Sequence, residues 1–212
     1  MAENNSEFSA YLTAELGKKA VDSIDLFKDE IIVHANAAKI HDILYFLRSD
    51  EKCAFSQLQA ITAADYPEDE KRFEIVYLLL SLKYNRRVIV KIRTDEATPI
   101  PTVTNIYNSA NWFEREVWDM YGVKFSGHPD LRRILTDYGF EGHPLRKDFP
   151  LTGHYQVRYD EEQKEVIYEP VNLVQEFRVF DFSSPWEGAK YVIPNLPNEL
   201  KGDEKATPPA TK

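Results

Sequence analysis

The sequence predicts an α+β fold with a mostly antiparallel or mixed sheet packed with helices, followed by a long extended C-terminal arm that wraps a partner. Residues 1–122 mix strand-sized apolar runs with helical patterns, which indicates the α+β domain. In residues 123–194, Gly, Pro and charged residues interrupt the periodic stretches while aromatic residues recur, so we expect an arm that cannot close a core alone. Residues 195–212 are polar and predict a flexible tail.

The domain begins with a predicted helix, a hairpin and a second helix. Ser6–Gly17 places four apolar side chains on one helical face, those of Phe8, Tyr11, Leu12 and Leu16. Two short apolar runs, Ile24–Phe27 and Ile31–His34, are separated by a polar link and predict the hairpin. Asn36 is a suitable cap for the next helix, whose apolar positions have helical spacing at Ile40, Ile43, Leu44 and Leu47.

Three further strands and a third helix complete the predicted domain. Phe55–Ala63 is a plausible strand with weaker patterning, and Phe73–Leu82 is apolar on both faces, which predicts a central strand. Val88–Ile92 follows a polar turn and predicts a hairpin with the strand before it. Beyond a proline-containing break, Ser109–Tyr121 predicts a helix.

Composition limits the classes of function. The formal net charge of −9 argues against a free nucleic-acid-binding protein, which usually shows a basic face. Cys53 is the only cysteine, which excludes an internal disulfide and an iron–sulfur cluster held by cysteines of this chain alone, and we expect it to be a buried packing residue. The longest apolar run, Ile75–Leu80, is much shorter than the roughly 20 residues of a transmembrane helix, so membrane association is expected only through another protein.

The densest charged cluster lies on the third predicted helix and comprises Glu114, Arg115, Glu116 and Asp119. Arg115 and Asp119 are four residues apart and can pair, while Glu116 and Asp119 share a face. Asn111, three residues before Glu114, resembles the start of a capping box. The carboxylates could serve acid/base chemistry or bind a divalent metal, but the spacing is more typical of a solvated or interface-facing side of a helix, which we favour.

A second charged cluster follows in the arm and comprises His128, Asp130, Arg132 and Arg133. Adjacent arginines can hold a carboxylate or phosphate, or they can dock on an acidic patch of a partner. We favour docking, because a site for a small anion would also need a glycine-rich loop or a helix N-terminus nearby.

Three histidines, His128, His143 and His154, lie in the same loop-rich region. They could ligate zinc, but the short spacings that bring zinc ligands together are absent. Around them, Gly139–Leu151 combines glycines that permit positive φ with prolines that fix φ, and so specifies one loop path. Three consecutive charged residues of this segment, Arg146, Lys147 and Asp148, suit contact with a partner.

Sequence motifs for cofactors are absent. We find no G-x-G-x-x-G after a strand, no G-x-x-x-x-G-K-[ST], no H-E-x-x-H and no G-x-S-x-G. The sequence therefore predicts no catalytic residue, no cofactor-binding residue and no metal ligand in this chain.

Two long strings resemble the family of the hydrophilic C subunit of the respiratory NADH:quinone oxidoreductase, complex I. The first, Glu114–Leu135, reads E-R-E-x-x-D-M-Y-G-V-x-F-x-x-H-P-D-L-R-R-I-L, and the second, Gly139–Leu151, reads G-F-x-G-H-P-L-R-K-D-F-P-L. The resemblance extends through Tyr168-Glu169-Pro170 and is close over Trp112–Trp186. Agreement at so many fixed positions is highly specific, whereas the N-terminal half resembles the family only in its order of elements.

The resemblance implies a subunit of the quinone-reducing module that binds no cofactor itself. In that family the arm wraps the large quinone-site subunit, and NADH, flavin, iron–sulfur clusters and quinone are bound by partner subunits. The complex couples electron transfer from NADH to quinone to proton translocation. The family member lies on the cytoplasmic side of the bacterial inner membrane or the matrix side of the mitochondrial one, and the N-terminus, which lacks the features of a transit peptide, favours a bacterial source.

On this basis we hypothesise that charged residues of both strings form paired contacts at the junction of domain and arm and anchor the arm on the large quinone-site subunit. The predicted interface comprises Glu114, Arg115, Glu116, Asp119, His128, Asp130, Arg132, Arg133, Arg146, Lys147 and Asp148. Two alternatives remain open. One is a free-standing enzyme that uses Glu116 and Asp119 with a divalent metal, and the other is an equivalent scaffold subunit in a related membrane-bound hydrogenase or dehydrogenase module.

Overall fold

The computed structural model describes residues 2–28, 30–175 and 177–178. The chain forms two compact units, the first ending at His154 and the second beginning at Tyr155. In the described residues, no helix is both long enough and apolar enough to cross a membrane. The parts of the predicted arm and tail at 179–194 and 195–212 lie outside the described residues.

A five-stranded sheet forms the centre of the first unit. Its strands are β1 (Val21–Phe27), β2 (Glu30–Ala35), β3 (Gln57–Asp65), β4 (Phe73–Ser81) and β5 (Arg86–Thr94). Their spatial order is β1-β2-β5-β4-β3, in which β2 and β5 are parallel and the other neighbours are antiparallel. This confirms the predicted α+β class with a mixed sheet, and both predicted hairpins, β1–β2 and β4–β5, form.

Within the described part of the chain, three helices accompany the sheet: α1 (Ala2–Ala20), α2 (Ile40–Ser49) and α3 (Ala110–Tyr121). The chain kinks within α1 at Gly17, whose φ of 61° is a left-handed value, so the predicted stop signal acts as a kink. Asn36 caps a short 3₁₀ turn that leads into α2, and its side chain accepts a hydrogen bond from the Ala38 N–H as predicted. The predicted apolar faces are buried at Phe8, Leu12, Ile40, Ile43, Leu44 and Leu47.

The core of the unit is built from alternate positions of the strands. In β2 and β5, every second residue is buried, which leaves one face of each strand in the core. β4 is buried along most of its length, as its apolar sequence predicted, and lies between β5 and β3. The middle position of the five-stranded sheet belongs to β5, so the predicted central strand is one place away from the centre. Cys53 is buried, as expected.

The start of the predicted arm contributes to this core. The short strand β6 (Ile100–Pro101) pairs in parallel with β7 (Phe125–Ser126), and Val123 and Phe125 are buried in the cluster of apolar side chains. Residues 127–154 then continue as turns and loops within the same unit. We call residues 127–154 the anchored loop, because the contacts described below tie it to α3 and to the sheet.

The second unit contains an antiparallel hairpin of β8 (Tyr155–Asp160) and β9 (Glu165–Pro170). This hairpin lies in the part of the chain that the sequence assigns to the arm. Alternating residues of such a pair point to opposite faces, which gives the hairpin two distinct surfaces.

Candidate functional site

Asp119 is the centre of the site. Its side chain is fully buried, and one oxygen, Oδ2, accepts hydrogen bonds from the backbone N–H groups of Ile134 (3.1 Å), Leu135 (2.8 Å) and Thr136 (3.0 Å). The other, Oδ1, accepts from Thr136 Oγ1 at 2.6 Å and from Arg133 Nη1 at 2.7 Å. Burial alone would raise the pKa of Asp119, but these donors outweigh it and hold the pKa well below its usual range. The carboxylate therefore ties α3 to the anchored loop.

Arg133 strengthens the same junction. Its side chain is only 16% exposed, and its guanidinium donates to the Gly142 carbonyl at 3.0 Å in addition to Asp119. It also lies 5.7 Å from the ring centre of Trp118 and 5.6 Å from that of Phe140, within the range of cation–π contacts. Its charge is thus satisfied within the chain.

Arg115 holds the loop from the preceding turn of α3. Its Nε donates to the Arg132 carbonyl at 3.1 Å and its Nη2 to the Arg133 carbonyl at 3.0 Å. The predicted pairing of Arg115 with Asp119 is wrong, because donors from the loop occupy the carboxylate. Glu116 is exposed while Asp119 is buried, so the structure does not combine these two carboxylates into one site.

Glu114 is a second buried carboxylate on α3 and binds a different segment. It accepts from the Val103 N–H at 2.8 Å and from Thr102 Oγ1 at 2.5 Å. Burial raises the pKa of Glu114 to about 7, and the two hydrogen bonds offset only part of that rise. The predicted capping box is wrong, because Asn111 lies inside the helix and the Glu114 side chain is committed to residues 102 and 103.

His128 fixes the first part of the anchored loop. Its side chain is buried, its Nε2 lies 3.1 Å from the Asn111 carbonyl, and its Nδ1 accepts from the Asp130 N–H at 3.0 Å. Because Nδ1 is an acceptor there, Nε2 carries the proton and donates to the carbonyl. The Asp130 carboxylate pairs with Arg132 Nε at 2.8 Å, and both side chains are largely exposed. Of His128, Asp130 and Arg132, only the histidine is an internal anchor.

Asp65, at the end of β3, is a third buried anchor that sequence reasoning missed. Arg72 binds it with two hydrogen bonds, from Nε at 2.6 Å and Nη2 at 2.8 Å, and the Lys147 N–H donates to it at 2.7 Å. The hydrogen bond from Arg72 is the largest cause of the lowered pKa of Asp65. Arg72 also contacts Asp148 at 3.1 Å. Opposite charges at the two ends of the segment between the predicted strands Phe55–Ala63 and Phe73–Leu82 are the signal that could have identified the pair of Asp65 and Arg72.

The last turn of α3 is capped by the anchored loop. Gly122 ends the helix with a φ of 81°, a left-handed value that favours glycine. Arg146 Nε donates to the Tyr121 carbonyl at 2.5 Å, the Leu145 N–H to the Met120 carbonyl at 3.1 Å, and His143 Nδ1 lies 2.9 Å from the carbonyl oxygen of Asp119. These donors satisfy carbonyls that a helix end otherwise leaves unpaired.

The three candidate histidines have separate partners. His128 and His143 contact backbone carbonyls of α3, while the ring of His154 packs edge-on against Phe149 at 5.5 Å. Among the residues that the structure describes, no group of three or more His, Cys, Asp or Glu is arranged to hold a metal ion.

Large apolar side chains are exposed beyond these anchors. In the anchored loop they are Leu135, Tyr138, Leu145 and Leu151, and in the second unit they include Tyr155, Val157, Tyr159, Val166 and Tyr168. Exposed apolar groups in such density are typical of interaction surfaces. Buried charges therefore fix the path of the loop, while apolar side chains remain on the surface.

Residues 33–155 match the model of the protein family described as the respiratory-chain NADH dehydrogenase 30 Kd subunit. The C subunit of NADH-quinone oxidoreductase from Methylobacterium sp. (strain 4-46) is 56% identical over 197 residues, which cover 93% of this chain and 88% of that protein. The C subunit from Rhodospirillum rubrum is 55% identical over 204 residues, covering 96% and 94%. That from Paramagnetospirillum magneticum is 59% identical over 177 residues, covering 84% and 85%.

Among solved structures, the chain is similar to one chain of the membrane-bound sulfane sulfur reductase, an archaeal respiratory membrane complex. The TM-score is 0.59 at 29% sequence identity, with 70% of this chain and 86% of that chain covered. The family model spans more than half of the sequence, and the curated relatives match it over most of their length. The chain therefore belongs to the family of the respiratory-chain NADH dehydrogenase 30 Kd subunit, which includes the C subunits of NADH-quinone oxidoreductase.

Proposed function

We propose that the chain is a scaffold subunit of the quinone-reducing module of NADH-quinone oxidoreductase and binds no redox cofactor of its own. Its anchored loop and arm seat on the large quinone-site subunit. Flavin, iron–sulfur clusters and the sites for NADH and quinone lie in partner subunits. In this role the chain supports electron transfer from NADH to quinone and the coupled translocation of protons.

The observation that carries this proposal is the state of the Asp119 carboxylate. Its two oxygens accept five hydrogen bonds from the anchored loop, so their acceptor capacity is used to fix backbone. A catalytic or metal-binding carboxylate keeps an oxygen available for substrate, proton or ion. Asp65 is committed in the same way to Arg72 and the Lys147 N–H. The strongest polar contacts in the site thus fix a loop in place.

The exposed apolar side chains of the anchored loop and hairpin support the second half of the proposal. Tyr138 and Leu151 are largely exposed although the backbone around them is held by buried charges. A loop with a fixed path and an apolar surface is pre-organised, which lowers the ordering cost of binding a partner. We expect the interface residues Asp130, Arg132 and Glu116, which are exposed, to contribute direct contacts with that partner.

Of the two alternative functions, the metal-dependent enzyme has less support, because Glu116 and Asp119 differ in burial and Asp119 is fully engaged. The other alternative, a scaffold in a related membrane-bound hydrogenase or dehydrogenase module, has some support in the similarity to a chain of the sulfane sulfur reductase complex. Identities of 51–59% to C subunits of NADH-quinone oxidoreductase favour the first assignment. We place the protein on the cytoplasmic side of the bacterial inner membrane, bound through the complex.

Replacement of Arg115 by alanine tests the scaffold role. Because Arg115 holds the backbone of the anchored loop through two carbonyls, Arg115→Ala should lower the yield of assembled complex. NADH:quinone turnover per assembled complex should remain close to that of wild type. Arg87→Ala, the same substitution at an exposed position of β5, is the matched control and should change neither quantity. Normal assembly together with a collapse of turnover would contradict the scaffold role of this site.

A further inference from the structure

Glu114 and His128 form a buried pair of titratable side chains beside the first turns of α3. Both side chains are fully buried, and Glu114 Oε2 lies 4.0 Å from His128 Nε2. This distance is about 1 Å longer than a hydrogen bond. His128 Nε2 instead donates to the Asn111 carbonyl at 3.1 Å. One N–H therefore lies between a neutral acceptor, which it uses, and a carboxyl group, which it does not.

The groups that face Glu114 leave a negative charge there without a permanent counter-ion. From β4, the Tyr77 hydroxyl is buried without a hydrogen-bond partner among the described residues. Burial, and after it the charge of Glu114, raises the pKa of Tyr77 well above its ordinary value. The segment before α3 contributes the Thr102 hydroxyl and the Val103 N–H, and the anchored loop contributes His128. In the part of the chain that the structure describes, no lysine or arginine forms an ion pair with Glu114.

The charged groups of the neighbouring elements have other partners. β3 packs against α3, but its only charged residue is Asp65, which is held by Arg72. On α3 itself, Arg115 donates to carbonyls of the anchored loop, Asp119 accepts from the same loop, and Glu116 is exposed. Among the described residues, the imidazole is thus the group best placed to respond to a charge at position 114.

Two threonines allow Glu114 to hold a proton without a change in the backbone. Thr102 Oγ1 lies 2.5 Å from Glu114 Oε2 and 3.1 Å from Thr104 Oγ1. When Glu114 is ionised, the hydroxyl of Thr102 donates to the carboxylate. When Glu114 is protonated, its O–H donates to Thr102 Oγ1, and Thr102 donates to Thr104 instead, since a hydroxyl group both donates and accepts. The same heavy-atom positions serve both states.

The pKa of Glu114 places the change between these states near neutral pH. Burial raises this pKa to about 7, and the hydrogen bonds from Thr102 and Val103 offset only part of the rise. An ionised carboxylate is a stronger acceptor than a neutral carbonyl or a protonated acid. Loss of the proton therefore makes Glu114 Oε2 a better acceptor for the N–H of His128 than the Asn111 carbonyl.

His128 connects this choice of acceptor to the start of the anchored loop. Nδ1 of the same ring accepts from the Asp130 N–H at 3.0 Å. Because the imidazole is rigid, a movement of Nε2 by about 1 Å towards Glu114 also displaces Nδ1 from the Asp130 N–H. The bonds of the ring to Asn111 and to Asp130 are then weakened together. The start of the loop is held most firmly when Glu114 carries a proton.

We propose that Glu114 and His128 form a proton-dependent switch, in which the N–H of His128 binds the Asn111 carbonyl when Glu114 is protonated and the Glu114 carboxylate when it is ionised. Loss of the proton loosens residues 128–130 from α3. Since the pKa of Glu114 is higher in the folded state, the firm state is complete below the ordinary carboxyl pKa and is lost as the pH rises through about 7. The switch is a property of the chain itself and goes beyond the proposed function.

Nuclear magnetic resonance of the full-length chain, titrated from about pH 5.5 to about pH 8.5, tests the switch in wild type. The side-chain carboxyl of Glu114, the ring N–H of His128 and the backbone amide of Asp130 should titrate together, with a midpoint of about 7. One pH unit above the midpoint, about one tenth of the carboxyl groups are protonated. The protection of the Asp130 amide from hydrogen exchange, corrected for the intrinsic rate, should therefore fall about tenfold. Protection that stays constant over this range would overturn the proposal.

A glutamine at position 114 imitates the protonated acid. In Glu114→Gln the carbonyl can accept from the Val103 N–H and the NH₂ group can donate to Thr102. The Asp130 amide should then lose its pH dependence. Glu116→Gln, the same substitution at an exposed position of α3, is the matched control and should keep the wild-type titration. If the Asp130 amide still titrates in Glu114→Gln, another group controls it and the proposal is wrong.

An asparagine at position 128 separates the switch from a general loss of stability. In His128→Asn, Oδ1 can accept from the Asp130 N–H as Nδ1 does, but no donor stands at the position of Nε2. Glu114 should still titrate in this variant, while the protection of the Asp130 amide should no longer follow that titration. Protection that falls with pH as in wild type would show that the loosening does not pass through the imidazole, which would overturn the proposal. These measurements use the chain alone, so their outcome is independent of its assembly with other subunits.

Discussion

Replacing Asp119 by asparagine tests the energetic centre of the site. The substitution keeps the size of the side chain but replaces one of its two oxygens by an NH₂ group. Both oxygens of Asp119 accept hydrogen bonds, whereas the NH₂ group can only donate them. The orientation of the amide that loses the fewest hydrogen bonds points the NH₂ group towards Arg133 and Thr136. In that orientation the hydroxyl of Thr136 can accept a hydrogen bond instead of donating one, but the guanidinium of Arg133 can only donate. Three backbone N–H groups then keep their acceptor, and the ion pair with Arg133 is lost.

The structure sets the magnitude of that loss. Arg133 is 16% exposed and Asp119 is fully buried, so they form a buried ion pair. Removing one partner of a buried ion pair lowers the free energy of unfolding by about 3–5 kcal/mol. In the variant, the guanidinium of Arg133 still donates to the Gly142 carbonyl and still contacts two aromatic rings. These remaining contacts favour a loss at the lower end of that range. We therefore expect Asp119→Asn to reduce the free energy of unfolding by about 3 kcal/mol. Asp130→Asn, the control, removes an exposed ion pair with Arg132 and should lower the free energy of unfolding by about 0.5 kcal/mol or less.

Equilibrium urea unfolding of the purified chain measures both variants. The pKa of Asp119 is lower in the folded state than in the unfolded state. The stabilisation that the ionised carboxylate gives is therefore complete above the ordinary carboxyl pKa, and it is lost as the pH falls through the pKa of the folded state. The difference between wild type and Asp119→Asn should therefore shrink in acid. If Asp119→Asn and Asp130→Asn unfold at the same urea concentration, the account of Asp119 as the main anchor is refuted.

Three further predictions address the other buried groups. Burial raises the pKa of Glu114 from 4.5 to about 7, so the stabilisation that protonated Glu114 gives is complete below pH 4.5, and about 3 kcal/mol of it is lost as the pH rises through the pKa of the folded state. Urea unfolding of Glu114→Gln at a series of pH values should not show this loss, and parallel pH profiles for the variant and wild type would contradict the prediction. Gly122→Ala should lower the free energy of unfolding, measured by thermal unfolding, by at least about 1–2 kcal/mol, because φ is positive and the new Cβ would lie 2.5 Å from Arg146 Nη2. The control Gly139→Ala, which has open space around the new Cβ, should leave the free energy of unfolding nearly unchanged. Arg72→Ala leaves the buried Asp65 without its guanidinium and should lower the free energy of unfolding by about 3 kcal/mol or more in urea, and a near-neutral value would show that the Lys147 N–H suffices.

The elements with regular apolar spacing were predictable from sequence. The faces of α1 and α2 follow from helical periodicity, and the β4–β5 hairpin follows from two apolar runs joined by a short polar turn. The parallel pairing of β2 with β5 was not predictable in this way, because periodicity shows which face of a strand is buried and not which strand lies beside it.

The candidate site was predicted in its residues but not in its arrangement. Helical spacing suggested that Arg115 pairs with Asp119 and that the charges of α3 face outward. In the structure Glu114 and Asp119 point inward, since donors from segments far along the chain compensate their burial. Local spacing contains no information about such donors. The same limit explains why Asp65, which depends on Arg72 and on the Lys147 N–H, was missed.

The boundary between domain and arm illustrates a related difficulty. The sequence changes character at Gly122, where periodic patterns end, whereas the first compact unit continues to His154. The intervening residues have few buried apolar side chains and are held mainly by hydrogen bonds to α3 and to Asp65. Hydrophobic periodicity cannot detect a segment that is attached in this way.

The claim on which the account depends is that this chain positions redox partners and carries no redox group itself. The most direct measurement compares the visible absorption spectrum of the chain purified alone with that of the assembly recovered from membranes through a tag on the chain. We expect the chain alone to show neither flavin nor iron–sulfur absorption, and the assembly to show both, to contain the quinone-site subunit and to oxidise NADH with quinone. A flavin or iron–sulfur spectrum from the isolated chain, or an active monomer that recovers no such subunit, would contradict the account.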